Sequence, residues 1–200
     1  LGGGRDDVME QLELAELAIA AALAWGAGLR AYAVIFAVGL AGAMGWIALP
    51  GHLDVLEQPI VLGASGFMTL VELFADKVPW VDSLWDAVHS FIRIPAGAAL
   101  AAAVFGDSGV GVSVAAALLG GTLSAAVHAT KAGTRAAINT SPEPFSNWTA
   151  SLAEDAAVPL GLWLAVVQPW VFLALLVVFL VAAALLGRIV WRGLRKVFSR

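Results

Sequence analysis

What most constrains this chain is its series of long apolar runs, separated only by glycine, proline and short polar breaks. A helix needs about 20 apolar residues to cross roughly 30 Å of hydrocarbon. The first run extends from Val8 to Trp25 and is interrupted by Gly26-Ala27-Gly28, and a second covers Leu29 to Leu49 before Pro50-Gly51. Together they are too long for one crossing, so a turn or a broken helix is required near Gly26–Arg30. A third begins at Pro59, a favoured first-turn residue, and reaches Val78. Val110 to Thr130 is rich in Ala, Gly and Ser, the composition of tight helix contacts in membranes. Ser146 or Asn147 is placed to cap the next helix, which runs to Val167, and a last helix starts at Pro169.

Residues 80–94 differ. Val81, Leu84, Trp85, Val88 and Ile92 recur at helical spacing among polar positions, predicting an amphipathic helix at the interface or lining a cavity. Pro95 to Phe105 is apolar but only about half a span long. Soluble helices average about half the length of the main runs. The expected fold is therefore all-α: a polytopic transmembrane helix bundle of six or seven spans with broken or re-entrant helices, the 95–105 piece deciding the parity. Residues 1–200 read as a single membrane domain.

Composition agrees. The chain is 60% hydrophobic and 13% charged, where soluble domains run about 45–50% and 25%. A soluble fold this small could not hide so much apolar surface, so the surplus must face lipid. Trp25, Trp46, Trp80, Trp148, Trp170 and Trp191 fall near run ends, as an aromatic belt would place them. The net charge of −4 averages two unlike ends. Asp6, Asp7, Glu10, Glu13 and Glu16 precede the first run, the wrong sign for a signal peptide. Arg188, Arg192, Arg195, Lys196 and Arg200 follow the last run with no acid among them, so residues 192–200 are expected to be a basic cytoplasmic tail.

There is no cysteine, and no glycine-rich phosphate loop, HExxH or GxSxG. No cofactor is expected, and no basic motif or aromatic platform suits nucleic acid. The expected partners are the lipid bilayer and further copies of the chain in a homo-oligomer.

The chain also echoes itself. Gly26-Ala27-Gly28-Leu29-Arg30-Ala31 and Lys131-Ala132-Gly133-Thr134-Arg135-Ala136 share Ala-Gly-x-Arg-Ala, each just after an apolar helix. Each is followed by a helix bearing acids, Glu72 and Asp76 in one half, Glu154 and Asp155 in the other. The order suggests a duplication, with pseudo-repeats over residues 8–105 and 110–191, a common plan for small transporters.

Charges inside such runs need a reason, because an acid at the bilayer centre costs about 2.5–3.5 kcal/mol on insertion scales and normally faces the bundle interior. Glu72 and Asp76 share a helix face and would repel unless a proton, a cation or an Arg joins them. Lys77 follows them and can snorkel outward. Asp82, Asp86, His89 and Arg93 lie on one helical stripe. Asp86 with His89 could ligate a divalent ion or relay protons; the bland alternative is a solvated face. The candidate binding residues are thus Glu72, Asp76, Asp82, Asp86, His89, Glu154 and Asp155, with Arg30, Lys77, Arg93 and Arg135 as counter-charges.

The stretch Glu72-Leu73-Phe74-Ala75-Asp76-Lys77-Val78-Pro79-Trp80-Val81-Asp82-Ser83-Leu84-Trp85-Asp86-Ala87-Val88-His89, with Phe91-Ile92-Arg93 and Pro95-Ala96-Gly97-Ala98, resembles an uncharacterised bacterial membrane family, domain of unknown function 4126. So does Lys131-Ala132-Gly133-Thr134-Arg135 followed by Thr140-Ser141-Pro142-Glu143-Pro144-Phe145-Ser146-Asn147. The resemblance implies a multi-pass protein of the bacterial inner (plasma) membrane and no assigned activity. The residues themselves suggest a small transporter or permease for cations, protons or a small solute, with its site at the repeat interface. The alternatives are a structural or regulatory membrane subunit and a lipid-acting flippase or enzyme. Catalysis is the less favoured class.

Overall fold

A computed structural model describes residues 3–78, 81–138 and 144–198. Six helices follow one another: α1 (Gly3–Ala43), α2 (Pro59–Ala75), α3 (Val81–Val104), α4 (Val110–Ile138), α5 (Pro144–Val167) and α6 (Pro169–Phe198). No strand occurs among the described residues. Five of the helices are long and apolar enough to cross a membrane, and α2, with 17 residues, is apolar but shorter. Large apolar side chains such as Ile60, Phe91, Val110 and Leu119 stand exposed around the bundle, so its outer surface suits lipid rather than water. This is an integral membrane protein.

Helix starts and stops follow local chemistry. Proline, whose missing N–H is no loss in a first turn, opens α2, α5 and α6. Gly51 adopts a positive φ of 56° in the turn after α1, and a Cβ there would meet the Ala103 carbonyl at 2.2 Å. His52 N–H donates to that same carbonyl at 2.8 Å, pinning the turn to the end of α3.

The central helix is α1, which packs against all five others. Its small residues Ala20, Ala24, Ala27 and Ala31, with Leu23 and Val34, form the core, whereas α6 is almost wholly exposed. Between α3 and α4 the backbones touch: a Cβ on Gly120 would meet the Gly97 carbonyl at 2.7 Å, and one on Gly28 of α1 would meet the Ser124 carbonyl of α4 at 2.6 Å. Without a hydrophobic force between helices in lipid, this close approach is what holds them.

One sequence expectation holds and three change. The break required near Gly26–Arg30 is present, as non-helical backbone at Arg30 (φ −149°, ψ 82°) within α1. Its counterpart is not a break, because α4 continues as helix through Lys131, Gly133 and Arg135 to Ile138. Residues 81–104 are one helix rather than an interfacial piece and a half-span. Pro95 lies inside it, and close by the Ser124 hydroxyl of α4 donates to the Arg93 carbonyl at 2.8 Å, tying the two helices together. Trp25 is no belt residue; it packs edge-on to Phe172 (centroids 6.1 Å apart) and over Gly161. Trp46, Trp148 and Trp170 are exposed near helix ends, and Trp80 and the Trp191 side chain lie outside the described set.

Candidate functional site

The charged residues gather at the end of the bundle where α2 and α4 finish and α3 and α5 begin. Asp76 is the C-cap of α2 and Glu72 lies one turn before it. Asp86 and Arg93 occupy the first half of α3, Lys131 and Arg135 the last turns of α4, and Glu154 and Asp155 the first half of α5. Each is there because its helix turns that stripe inward. On α4, Ser124, His128, Lys131 and Arg135 recur at alternating four- and three-residue steps and are all buried.

Two lobes result. In the first, Arg93 bridges two acids, reaching Glu72 at 2.5 Å and Asp86 through its other terminal nitrogen. All three side chains are shut away from solvent. His128 completes this lobe, its Nδ1 lying 3.2 Å from the Arg93 guanidinium and its Nε2 2.7 Å from the Ser90 hydroxyl.

The second lobe is a square of two arginines and two acids. Arg30 lies 2.8 Å from Asp76 and 3.8 Å from Glu154. Arg135 lies 3.2 Å from Glu154 and 4.0 Å from Asp76. Each arginine is thus nearer the acid of its own half, with the other acid within reach. Asp155 joins Arg30 at 2.9 Å from a side chain 25% exposed, so this lobe opens toward the surface. Ser151 and Asn147 on α5 finish it: the Arg30 guanidinium donates to the Ser151 hydroxyl at 3.0 Å, and Arg135 donates to the Asn147 carbonyl at 2.9 Å.

Lys131 joins the lobes, its ammonium 3.3 Å from Asp76, 3.4 Å from Asp86 and 3.1 Å from Glu154. It also donates to the Leu29 carbonyl at 3.3 Å, beside the α1 break. Among the described residues, five carboxylates (Glu72, Asp76, Asp86, Glu154, Asp155) thus face four fixed cations (Arg30, Arg93, Lys131, Arg135) in one continuous network. Glu72 Oε2, Asp76 Oδ1 and Asp86 Oδ2 are buried with no hydrogen-bond donor.

Of the sequence candidates, Glu72, Asp76, Asp86, Glu154, Asp155, Arg30, Arg93 and Arg135 meet here. Three do not. Lys77 donates to the Leu73 carbonyl at 2.9 Å on its own helix. His89 is buried elsewhere, stacked on Trp85 (centroids 4.0 Å) and edge-on to Tyr32, with Nδ1 at the Trp85 carbonyl. The Asp82 side chain lies outside the described set. Asp86 and His89 therefore turn to different partners, and among the described residues no group of three or more His, Asp or Glu side chains is placed to hold a metal. The acids alternate with cations instead.

Sequence reasoning missed Lys131, Ser151 and Asn147, and marked His128 only as a weaker candidate. Asn147 read as a helix cap, but α5 begins at Pro144, which turns the asparagine inward onto Arg135. The missed signal on α4 was the same inward stripe that flagged α3.

A search of curated proteins and one of solved structures each find no match. A family model does match, over residues 17–188. With that span including both Ala-Gly-x-Arg segments and both acidic helices of the network, the chain belongs to the family described as Domain of unknown function (DUF4126).

Proposed function

We propose that the protein is a small membrane transporter or permease for cations, protons or a small solute, with the charge network as its translocation site. The square of Arg30, Asp76, Arg135 and Glu154 carries this reading. Every corner has two opposite charges within about 4 Å, so partners can be exchanged without stranding a buried charge. An element with two pairings of similar geometry is what a two-state conformational change requires. It sits beside the broken helix α1, and broken helices commonly mark transporter sites.

The reading extends to topology. A Cβ on Gly26 would meet the Val34 side chain, eight residues further on, at 2.7 Å, so α1 folds back at Arg30 and contributes two segments; with α2 counted, the chain has seven. The basic tail supports a C-terminal end of α6 on the cytoplasmic face of a bacterial inner membrane. Since α5 and α6 return the chain to the end where α4 finishes, the network lies toward the cytoplasm.

Flux in proteoliposomes tests this. Ions or solute move with the native chain, and Asp76→Asn or Glu154→Gln slows them while the protein still inserts. Absence of any flux across a panel of cations, protons and small solutes, or unchanged flux in both variants, overturns it. The alternative is a structural or regulatory subunit whose charges are internal glue, and the density of direct ion pairs favours it. In that case the same substitutions lower the melting temperature and no ion shifts it.

A further inference from the structure

Arginine only donates hydrogen bonds. The Arg93 terminal nitrogen 3.2 Å from His128 Nδ1 therefore requires Nδ1 to be a bare acceptor. The ring proton must then sit on Nε2, where the Ser90 hydroxyl oxygen receives it at 2.7 Å. Ser90 is free to accept, because its own hydroxyl hydrogen goes to the Asp86 carbonyl at 3.0 Å. Every donor in this relay has one direction only. His128 is thus held neutral, as the Nε2–H tautomer, with its one basic nitrogen aimed at the cation that organises the first lobe.

We propose that His128 is a proton-binding site of the network, and that the proton taken up at Nδ1 is the ion that couples to its rearrangement. A proton from water forms a new N–H at Nδ1, and the ring becomes a cation facing the guanidinium of Arg93. Two donors cannot share that contact, so Arg93 gives it up while keeping Glu72 and Asp86. Burial and the cations Arg93 and Lys131 oppose a charged ring, whereas Asp86 favours it. Glu72 on α2 acts only through Arg93. Because Lys131 links Asp86 to Asp76 and Glu154, loosening the first lobe reaches the square. Identifying the coupling ion rests on the transport reading above, whereas proton uptake by His128 does not.

The test is nitrogen NMR of the full chain in lipid nanodiscs, with histidine and arginine labelled and the His128 signals assigned by loss in His128→Gln. Near neutrality, His128 is expected to show a bare Nδ1 and a protonated Nε2. On acidification Nδ1 gains a proton, and the Arg93 guanidinium signals move with the same midpoint. A ring protonated at Nδ1 near neutrality, one that stays bare down to about pH 4, well below an ordinary histidine, or a titration that leaves Arg93 unmoved would each overturn the site. In proteoliposomes, His128→Gln, which keeps an acceptor for Arg93 but binds no proton, is expected to lose the response of flux to a pH gradient. Native flux indifferent to the gradient overturns the coupling. A chain that titrates at His128 yet moves nothing defeats the transport reading alone.

Discussion

The two lobes of the network use the same chemistry under different conditions. Around Arg93, two acids and one guanidinium are sealed away from solvent, with His128 closing the remaining side. Around Arg30 and Arg135, the acids Glu154 and Asp155 keep 15% and 25% of their side-chain surface exposed, and each of Asp76 and Glu154 has more than one cation in reach. A sealed charge has nowhere to go when its partner is lost, whereas a partly wet one can turn to water. The first lobe therefore suits rigidity and the second suits exchange.

That contrast can be broken by substitution. Arg93→Met should have the largest effect, costing about 3–5 kcal/mol of stability, because Glu72 and Asp86 stay buried without their shared cation. Thermal unfolding in detergent reads it, and a native-like melt would mean the lobe is not sealed. Lys131→Met addresses the link between lobes. In the native chain, Glu72→Gln and Glu154→Gln should couple by about 0.5–3 kcal/mol in a double-mutant cycle, and the coupling should vanish once Lys131 is gone. Persistent coupling would route communication through something other than this ammonium. Asp155→Asn should be mildest, about 0.2–1 kcal/mol and weakened by salt, as a partly exposed ion pair behaves. A loss as large as that of Arg93→Met would place the second lobe in the same dry environment as the first.

Much of the architecture was legible because membranes impose a crude length rule on sequence. The runs that became α2, α4, α5 and α6 were apparent from hydropathy, those of α2 and α6 also from their opening prolines. The break at Arg30 followed from a pair of runs too long for one crossing. Continuity was harder. Glycine and proline read as punctuation in water, yet Gly133 in α4 and Pro95 in α3 lie within continuous helix. In the site, buried acids stood out because an apolar run makes a carboxylate conspicuous. Lys131, His128 and Asn147 did not, because they lie beside polar connecting segments where a charged or amide side chain looks ordinary. Only three-dimensional packing turned them inward.

The position of Arg30 has a consequence for how the protein is made. Its first contacts on the far side are with Ser151, 121 residues later in the chain, and with Asp76, Glu154 and Asp155, all downstream. During synthesis α1 leaves the ribosome first, so its arginine meets the translocon before any of these partner acids exists. Its native charge pairing waits until α2 and α5 have been made, and the first helix synthesised is among the last to reach its final arrangement.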